Sequence, residues 1–242
     1  MSGYSEFANI YDRLMNDADY KKRSEYVLSL FERFGKKPTL LLDLACGTGT
    51  FSFLFTGKGI EVIGVDSSEE MLSVAKENND ILFLCQRAEE LDLFGTVDGA
   101  VCLMDSVNHI TDEENLKKAF GKVSLFLEKG CLFIFDVNTL YKHACVLGNN
   151  TFVFEEEGVF GVWQNSFDEE TLTTDIMLDF FEEKNGLYER YSEDFCERAY
   201  TEEQLKKWLL ECGLETLGIF GDLSLEKPKE DAERIFFVTR KI

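Results

Sequence analysis

The chain of 242 residues holds only two histidines, two prolines and two tryptophans. Two imidazoles, His109 and His143, are too few for a histidine-rich centre, and no metal site is expected. The seven cysteines (Cys46, Cys85, Cys102, Cys131, Cys145, Cys196 and Cys212) are scattered and odd in number, and none forms a C-x-x-C pair. That pattern fits reduced thiols in a cytoplasmic protein better than a disulfide frame or a zinc site. No run approaches 18 consecutive apolar residues, so no transmembrane helix and no membrane partner are expected. Residues Met1 to Phe7 lack the basic-then-apolar order of a signal peptide. Basic residues are also scarce, 25 against 46 acids, for a formal charge of −21. Such a chain repels phosphate backbones, and pairs such as Lys206-Lys207 make no basic patch. Nucleic acid is therefore disfavoured as a partner. Repeats and low-complexity linkers are absent.

Apolar residues make up 45% of the chain and phenylalanine alone contributes 22. That is enough for a sizeable core in one large domain, or one domain carrying an insertion. The most informative stretch runs from Leu40 to Thr50. Leu40, Leu41 and Leu42 follow the breaker Pro38 and predict a short strand buried on both faces. Ala45, Gly47 and Gly49 then let the backbone turn sharply and admit a ligand close to it. Phe51 to Phe55 begins a helix. Strand, glycine turn and helix make the opening of a nucleotide-type site at the carboxyl end of a parallel strand. Asp43 helps to choose the nucleotide, because a carboxylate there repels a pyrophosphate but suits an ammonium group.

Along the chain, Tyr4–Met15 and Lys21–Phe34 show helical spacing, so two helices precede the first strand. Glu61–Asp66 is a second buried strand. Its terminal acid, Asp66, lies 17 residues beyond Gly49, where Rossmann-type sites place the carboxylate that holds a ribose diol. A third strand covers Ile81–Cys85 and a fourth Val97–Leu103. A helix capped by Thr111 and Asp112 runs to Leu127, and Cys131–Asp136 is the fifth strand. This alternation implies a doubly wound, mostly parallel α/β sheet, completed by strands near Leu214–Phe220 and Ile235–Thr239.

Between residues 151 and 200 the period changes to two. Val159–Phe167, Thr171–Glu182 and Leu187–Arg198 alternate apolar and polar residues, with a hairpin turn at Lys184–Gly186. Residues 151–199 are assigned as an antiparallel β flap inserted into a core of residues 1–150 and 200–242. Residues 151–200 carry 14 acids and three bases, net −11, which an outward solvated face largely explains.

With those residues placed, the chain resembles a bacterial small-molecule group of class I, Rossmann-like methyltransferases that use S-adenosylmethionine. The resemblance rests on Phe7-Ala8 with Tyr11-Asp12, the loop Asp43 to Gly49, Val65 to Ser68, Asp105 to His109, Phe135 to Asn138, and Glu197 to Tyr200. It implies a seven-stranded sheet, S-adenosylmethionine as cofactor, and a β-rich flap between the fifth strand and the last helix. It implies that Asp43, Ala45 and Gly47, with Gly49 closing the turn, meet the methionine part, and that Tyr11 reaches its carboxylate. Asp66 takes the ribose, Ser67 and Met71 flank the adenine, and Met104 closes over the sulfonium side. Arg87 departs from the group, which often has an aspartate there to accept from the adenine amino group. An arginine cannot accept, so either Ala88 and Gln86 hold the adenine or Arg87 turns away and stacks.

Methyl transfer from a sulfonium asks the protein to align the acceptor, desolvate it and take its proton. Candidates for the proton are His109, which follows the fourth strand, and Tyr11. Asp105, Asn108 and Asn138 are candidate acceptor contacts, with Phe152, Trp163 and Tyr200 as possible flap walls. The acceptor itself is expected to be a small molecule with a nitrogen or oxygen nucleophile, neutral or cationic, and the oligomeric state stays open. Two rivals remain at this stage: a silent S-adenosylmethionine-binding module, and an NAD-dependent oxidoreductase, against which Asp43 argues.

Overall fold

The computed structural model describes residues 19–76, 81–156, 158–184 and 186–242. The helix expected over Tyr4–Met15, and Tyr11 with it, lies outside the described residues. The first described helix, α1 (Tyr20–Phe34), has a cap at Asp19, whose side chain accepts from the Lys22 amide. Its apolar positions put Val27, Leu28, Leu30 and Phe31 in the core.

Seven strands form the main sheet: β1 (Leu40–Leu44), β2 (Glu61–Asp66), β3 (Leu82–Cys85), β4 (Val97–Cys102), β5 (Leu127–Asn138), β10 (Leu214–Gly221) and β11 (Arg234–Lys241). Their spatial order is β10-β11-β5-β4-β1-β2-β3. β11 runs antiparallel to β5 and β10, and the other pairs are parallel. The order reverses between β1 and β4, so a crevice opens beyond the carboxyl ends of those two strands.

Helices cover both faces, which is why β5 buries eight residues in a row from Cys131 to Asn138. Phe133 and Phe135 pack with Phe120 of α4 (Glu113–Phe126), Phe237 and Trp208 on one face. Leu132 and Ile134 face α1 and α2 (Thr50–Thr56) with Phe31, Phe51 and Phe55. Each such side chain taken fully out of water is worth about 1.5–3 kcal/mol. The core thus fixes both loops of the crevice from below. α3 (Glu69–Lys76) follows β2, and α5 (Glu202–Glu211) carries the capping box between Thr201 and Gln204.

Several boundaries differ from the sequence reading, and β5 extends beyond Cys131–Asp136 at both ends. α4 stops at Phe126, because Leu127 already pairs with Val97 and the chain bulges through Glu128–Gly130 before the ladder resumes at Leu132. The flap has four strands rather than three: β6 (Thr151–Glu156), β7 (Val159–Asp168), β8 (Thr173–Lys184) and β9 (Leu187–Arg198), in that order. β8 starts at Thr173 rather than Thr171, since the Asp168 carboxylate caps the amides of Glu170 and Thr171 and Leu172 turns at positive φ. Period two holds in β8: Thr174, Ile176, Leu178 and Phe180 are buried while Asp175 and Met177 are exposed. A π-helical turn, Lys142–Leu147, joins β5 to the flap. No helix among the described residues is long and apolar enough to cross a membrane.

Candidate active site

A cleft of about 1000 Å³ lies at the crevice, floored by the loops after β1, β2 and β4 and roofed by the flap. After β1 the backbone turns through Ala45 (φ 58°), Gly47 (φ 55°) and Gly49 (φ 79°). Gly47 lines the cleft, and a Cβ built there meets nothing within 4 Å, so the loop leaves open space for a ligand against its backbone. Asp66, at the end of β2, accepts from the Gly47 amide at 2.8 Å and the Ser68 amide at 2.8 Å. Each carboxylate oxygen keeps a lone pair, and the residue lines the cleft.

Asp43 is buried beneath the glycine loop and accepts from the Ser52 hydroxyl at 2.6 Å. Burial, helped by the nearby Asp66 charge, raises its carboxyl to about 7 against the hydrogen bond from Ser52. A cationic group delivered to this spot would restore its charge.

At the other end of the cleft the turn after β4 holds Met104 and Asp105 in the left-handed region (φ 58° and 53°). A single carboxylate, Asp136 of β5, accepts both of their amides at 2.8 and 3.0 Å, which fixes this strained pair. Arg234, at the start of β11, bonds Asp136 and reaches Asp105 at 2.9 Å. Asn138 donates to Asp105 at 2.6 Å and to Glu197 of β9 at 3.3 Å. His109 Nε2 lies 3.7 Å from Glu197 Oε1, and its ring packs on Phe195. Asp105, His109 and Glu197 thus bring one oxygen or nitrogen each within 4.8 Å of one another.

These neighbours set the charges. Burial would raise the Asp105 carboxyl, but Arg234 and Lys142 outweigh it and hold it below the usual range. Glu197 goes the other way, pushed up by burial and then by the Asp105 charge. His109 is 45% exposed to the cleft, yet desolvation still lowers its imidazole, with Asp105 opposing. Phe154, Trp163, Leu178 and Phe180 from the flap wall this end.

A family profile for a methyltransferase domain matches residues 41–130, the stretch from β1 to the bulge in β5. The structure of an S-adenosylmethionine-dependent methyltransferase from Clostridium acetobutylicum ATCC 824 superposes with a TM-score of 0.88 at 35% identity, over 99% of each chain. YqeM of Bacillus subtilis (strain 168), named as a methyltransferase without a stated substrate, is 32% identical over 98% of this chain and 97% of its own. The chain belongs to the S-adenosylmethionine-dependent methyltransferases. The S-adenosylmethionine-bound amino pentose methyltransferase CalS10 of Micromonospora echinaspora shares the fold, with a TM-score of 0.79 at 18% identity over 96% of this chain and 97% of its own. Enzyme class and cofactor follow from these relatives, and neither rival reading is favoured.

The methyltransferase cleft gathers most of the residues singled out in the sequence. Asp43, Ala45, Gly47, Asp66, Ser67, Met71, Arg87, Ala88, Met104, Asp105, His109 and Asn138 all line it. Two lie outside the lining. Gly49 is not in the lining; a Cβ there would sit 2.9 Å from the Phe83 ring, so its glycine serves packing. Asn108 is fully buried and spends its amide on backbone: Oδ1 accepts from Asn138 N, and Nδ2 donates to the carbonyls of Asn138 and Arg198. It braces the turn from inside the fold. Arg87 is drawn to Glu89 at 2.6 Å, and Gln86 is tied to the Asp92 backbone through both amide atoms. Tyr200 packs on Trp208 and donates to the Ile110 carbonyl, and Phe152 packs on Trp163 outside the lining.

Lys142 and Arg234 carry no sequence signal, Glu197 is marked only by the resemblance, and Asp136 is marked by it and as the end of the fifth strand. One clue was available: Asp136 interrupts the apolar run Leu132–Val137, and a buried strand tolerates an acid only with a partner.

Proposed function

We propose that this enzyme methylates a nitrogen of a small, neutral or cationic molecule. The observation that carries the proposal is the cluster of Asp105, His109 and Glu197 at the end of the same cleft that runs over the glycine loop. Carboxylates attract an ammonium group, and a neutral imidazole beside them can take its proton. The amino pentose substrate named for CalS10 is of the same class.

S-adenosylmethionine supplies, when bound, a methyl group already activated for transfer. In this reading Asp43, Ala45 and Gly47 take the methionine part and Asp66 the ribose hydroxyls. Ser67, Met71 and Ala88 surround the adenine, and Met104 covers the sulfonium side. Asp105 and Glu197 orient the acceptor amine, with Asn138 holding both carboxylates. His109 Nε2 would take the amine's surplus proton, leaving the lone pair free to displace the sulfonium sulfur as the new nitrogen–carbon bond forms. The flap aromatics Phe154, Trp163 and Phe180 keep water away from that bond.

The test is release of S-adenosylhomocysteine with a panel of amines, amino sugars and small acids. Release with a nitrogen acceptor, lost in His109→Ala, is the expected result. Cofactor binding without turnover of any acceptor would overturn it.

A further inference from the structure

The cations that line the cleft are not treated alike. Arg234 is held by Asp136 and Asp105, and Arg87 by Glu89. Lys142 differs. It opens the π-helical turn after β5, its amide is fixed by the Thr139 hydroxyl at 3.1 Å, and its Nζ donates to Asn138 Oδ1 at 3.0 Å. Among the described residues no carboxylate forms an ion pair with it. An ammonium has three hydrogens to donate, so two remain beside the cleft that Lys142 lines.

The amide that receives Lys142 also faces the acids. Asn138 accepts from Lys142 with its oxygen and donates to Asp105 and Glu197 with its nitrogen. The acceptor end of the cleft therefore has a cationic pole and an anionic pole, one amide group apart. Glu197 Oε1 lies 3.7 Å from His109 Nε2 and, among the described residues, accepts no hydrogen bond, so the anionic pole keeps an open acceptor.

We infer that the methyl acceptor is an amino acid-type zwitterion, with its carboxylate on Lys142 and its amine between Asp105 and Glu197. The inference rests on the amine-methylation reading and narrows it. A zwitterion is neutral overall, so the acidic chain does not exclude it, whereas a bare anion meets the acids unpaired. Desolvation is also the largest influence on the Lys142 ammonium and acts against its charge; Asp105, Glu197 and Glu233 offset it only from a distance. An arriving carboxylate would complete that offset at contact range.

The experiment compares matched probes at saturating S-adenosylmethionine: glycine against methylamine, β-alanine against ethylamine, and 4-aminobutyrate against propylamine. At least one amino acid is expected to release S-adenosylhomocysteine with kcat/KM ten-fold or more above its amine. Lys142→Met should lower that value ten-fold or more, mainly through KM, and leave the matched amine within two-fold. Lys142→Arg should recover part of the loss, and calorimetry should show cofactor affinity intact in both variants. Amines used as well as their amino acids, or a Lys142→Met loss equal for both, would overturn the inference. So would turnover found only with acceptors lacking an acidic group, an outcome that leaves the methyltransferase reading standing. Cofactor binding with no turnover of any compound would instead bring down the amine-methylation reading together with the inference.

Discussion

The Asp66 carboxylate accepts the backbone amide of Gly47 at 2.8 Å, so the loops after β1 and β2 are joined through one side chain. The same carboxylate holds the Ser68 amide ahead of α3. If Asp66 holds the ribose as proposed, replacing it by alanine removes a charge-assisted pair and also frees the glycine turn. Loss of such a pair costs on the order of 1.5–3 kcal/mol, or roughly ten- to hundred-fold in affinity. Calorimetric titration with S-adenosylmethionine checks this, and an unchanged dissociation constant would remove Asp66 from the ribose.

Arg87 should matter little. Its guanidinium is 62% exposed and paired with Glu89, so it neither needs the cofactor nor supports the buried part of the loop. Arg87→Ala should leave the dissociation constant within about two-fold, as surface substitutions away from buried contacts generally do. Arg87→Asp, which supplies an acceptor for the adenine amino group, should bind equally or more tightly. A ten-fold loss in either variant would mean that Arg87 contacts the ligand.

The part of this site that the sequence disclosed is the part built locally. β1, the glycine turn and Asp66 sit within 27 residues, and strand period, turn chemistry and a terminal acid each leave a short-range mark. The acceptor end is assembled over long range. Arg234 reaches Asp105 across 129 positions, and Asn138 reaches Glu197 across 59. No periodicity records such a meeting. The same limit explains Asn108. A polar residue beside a strand end looks available until the backbone of β5 and β9 is seen to consume its amide. In the flap, Thr151–Glu156 has too few apolar–polar steps to separate a strand from a loop, and pairing with β7 defines it.

His109 and Asn108 are neighbours that should fail in different ways. Asn108 makes its bonds in the interior, and its removal strands donors and acceptors of β5 and β9. Each buried group left unsatisfied costs about 1–3 kcal/mol, so Asn108→Ala should lower the melting temperature by several degrees. His109 faces the cleft with no hydrogen bond of its own among those described, so His109→Ala should melt close to the parent while kcat falls ten-fold or more. Thermal melts beside steady-state kinetics separate the two. Equal melting losses would place His109 in the structural frame rather than in proton transfer.

With Asp43 at the methionine ammonium as proposed, cofactor binding should depend on pH near neutrality. Burial pushes its carboxyl up to about 7 in the free protein, well above the ordinary aspartate range. A group whose folded pKa is raised binds its proton more tightly in the native state than in the unfolded chain. Its contribution to stability therefore falls as pH rises from about 4 to 7, and stays at its minimum above that. Binding has the opposite sign. The ammonium of S-adenosylmethionine favours the ionised carboxylate and draws its pKa down, so association releases a proton when it occurs below about pH 7. Affinity should be greatest above pH 7.5 and weaken by up to ten-fold per unit as pH drops to 6 and below, until the pKa of the bound state is reached. Asp43→Asn cannot titrate, so its affinity should be lower and flat over the same range. Calorimetry in two buffers of different ionisation heat counts the released proton directly. A parent protein whose affinity does not change between pH 5.5 and 8, with no proton released, would show that Asp43 is ionised before the cofactor arrives and would end its assignment to the ammonium group.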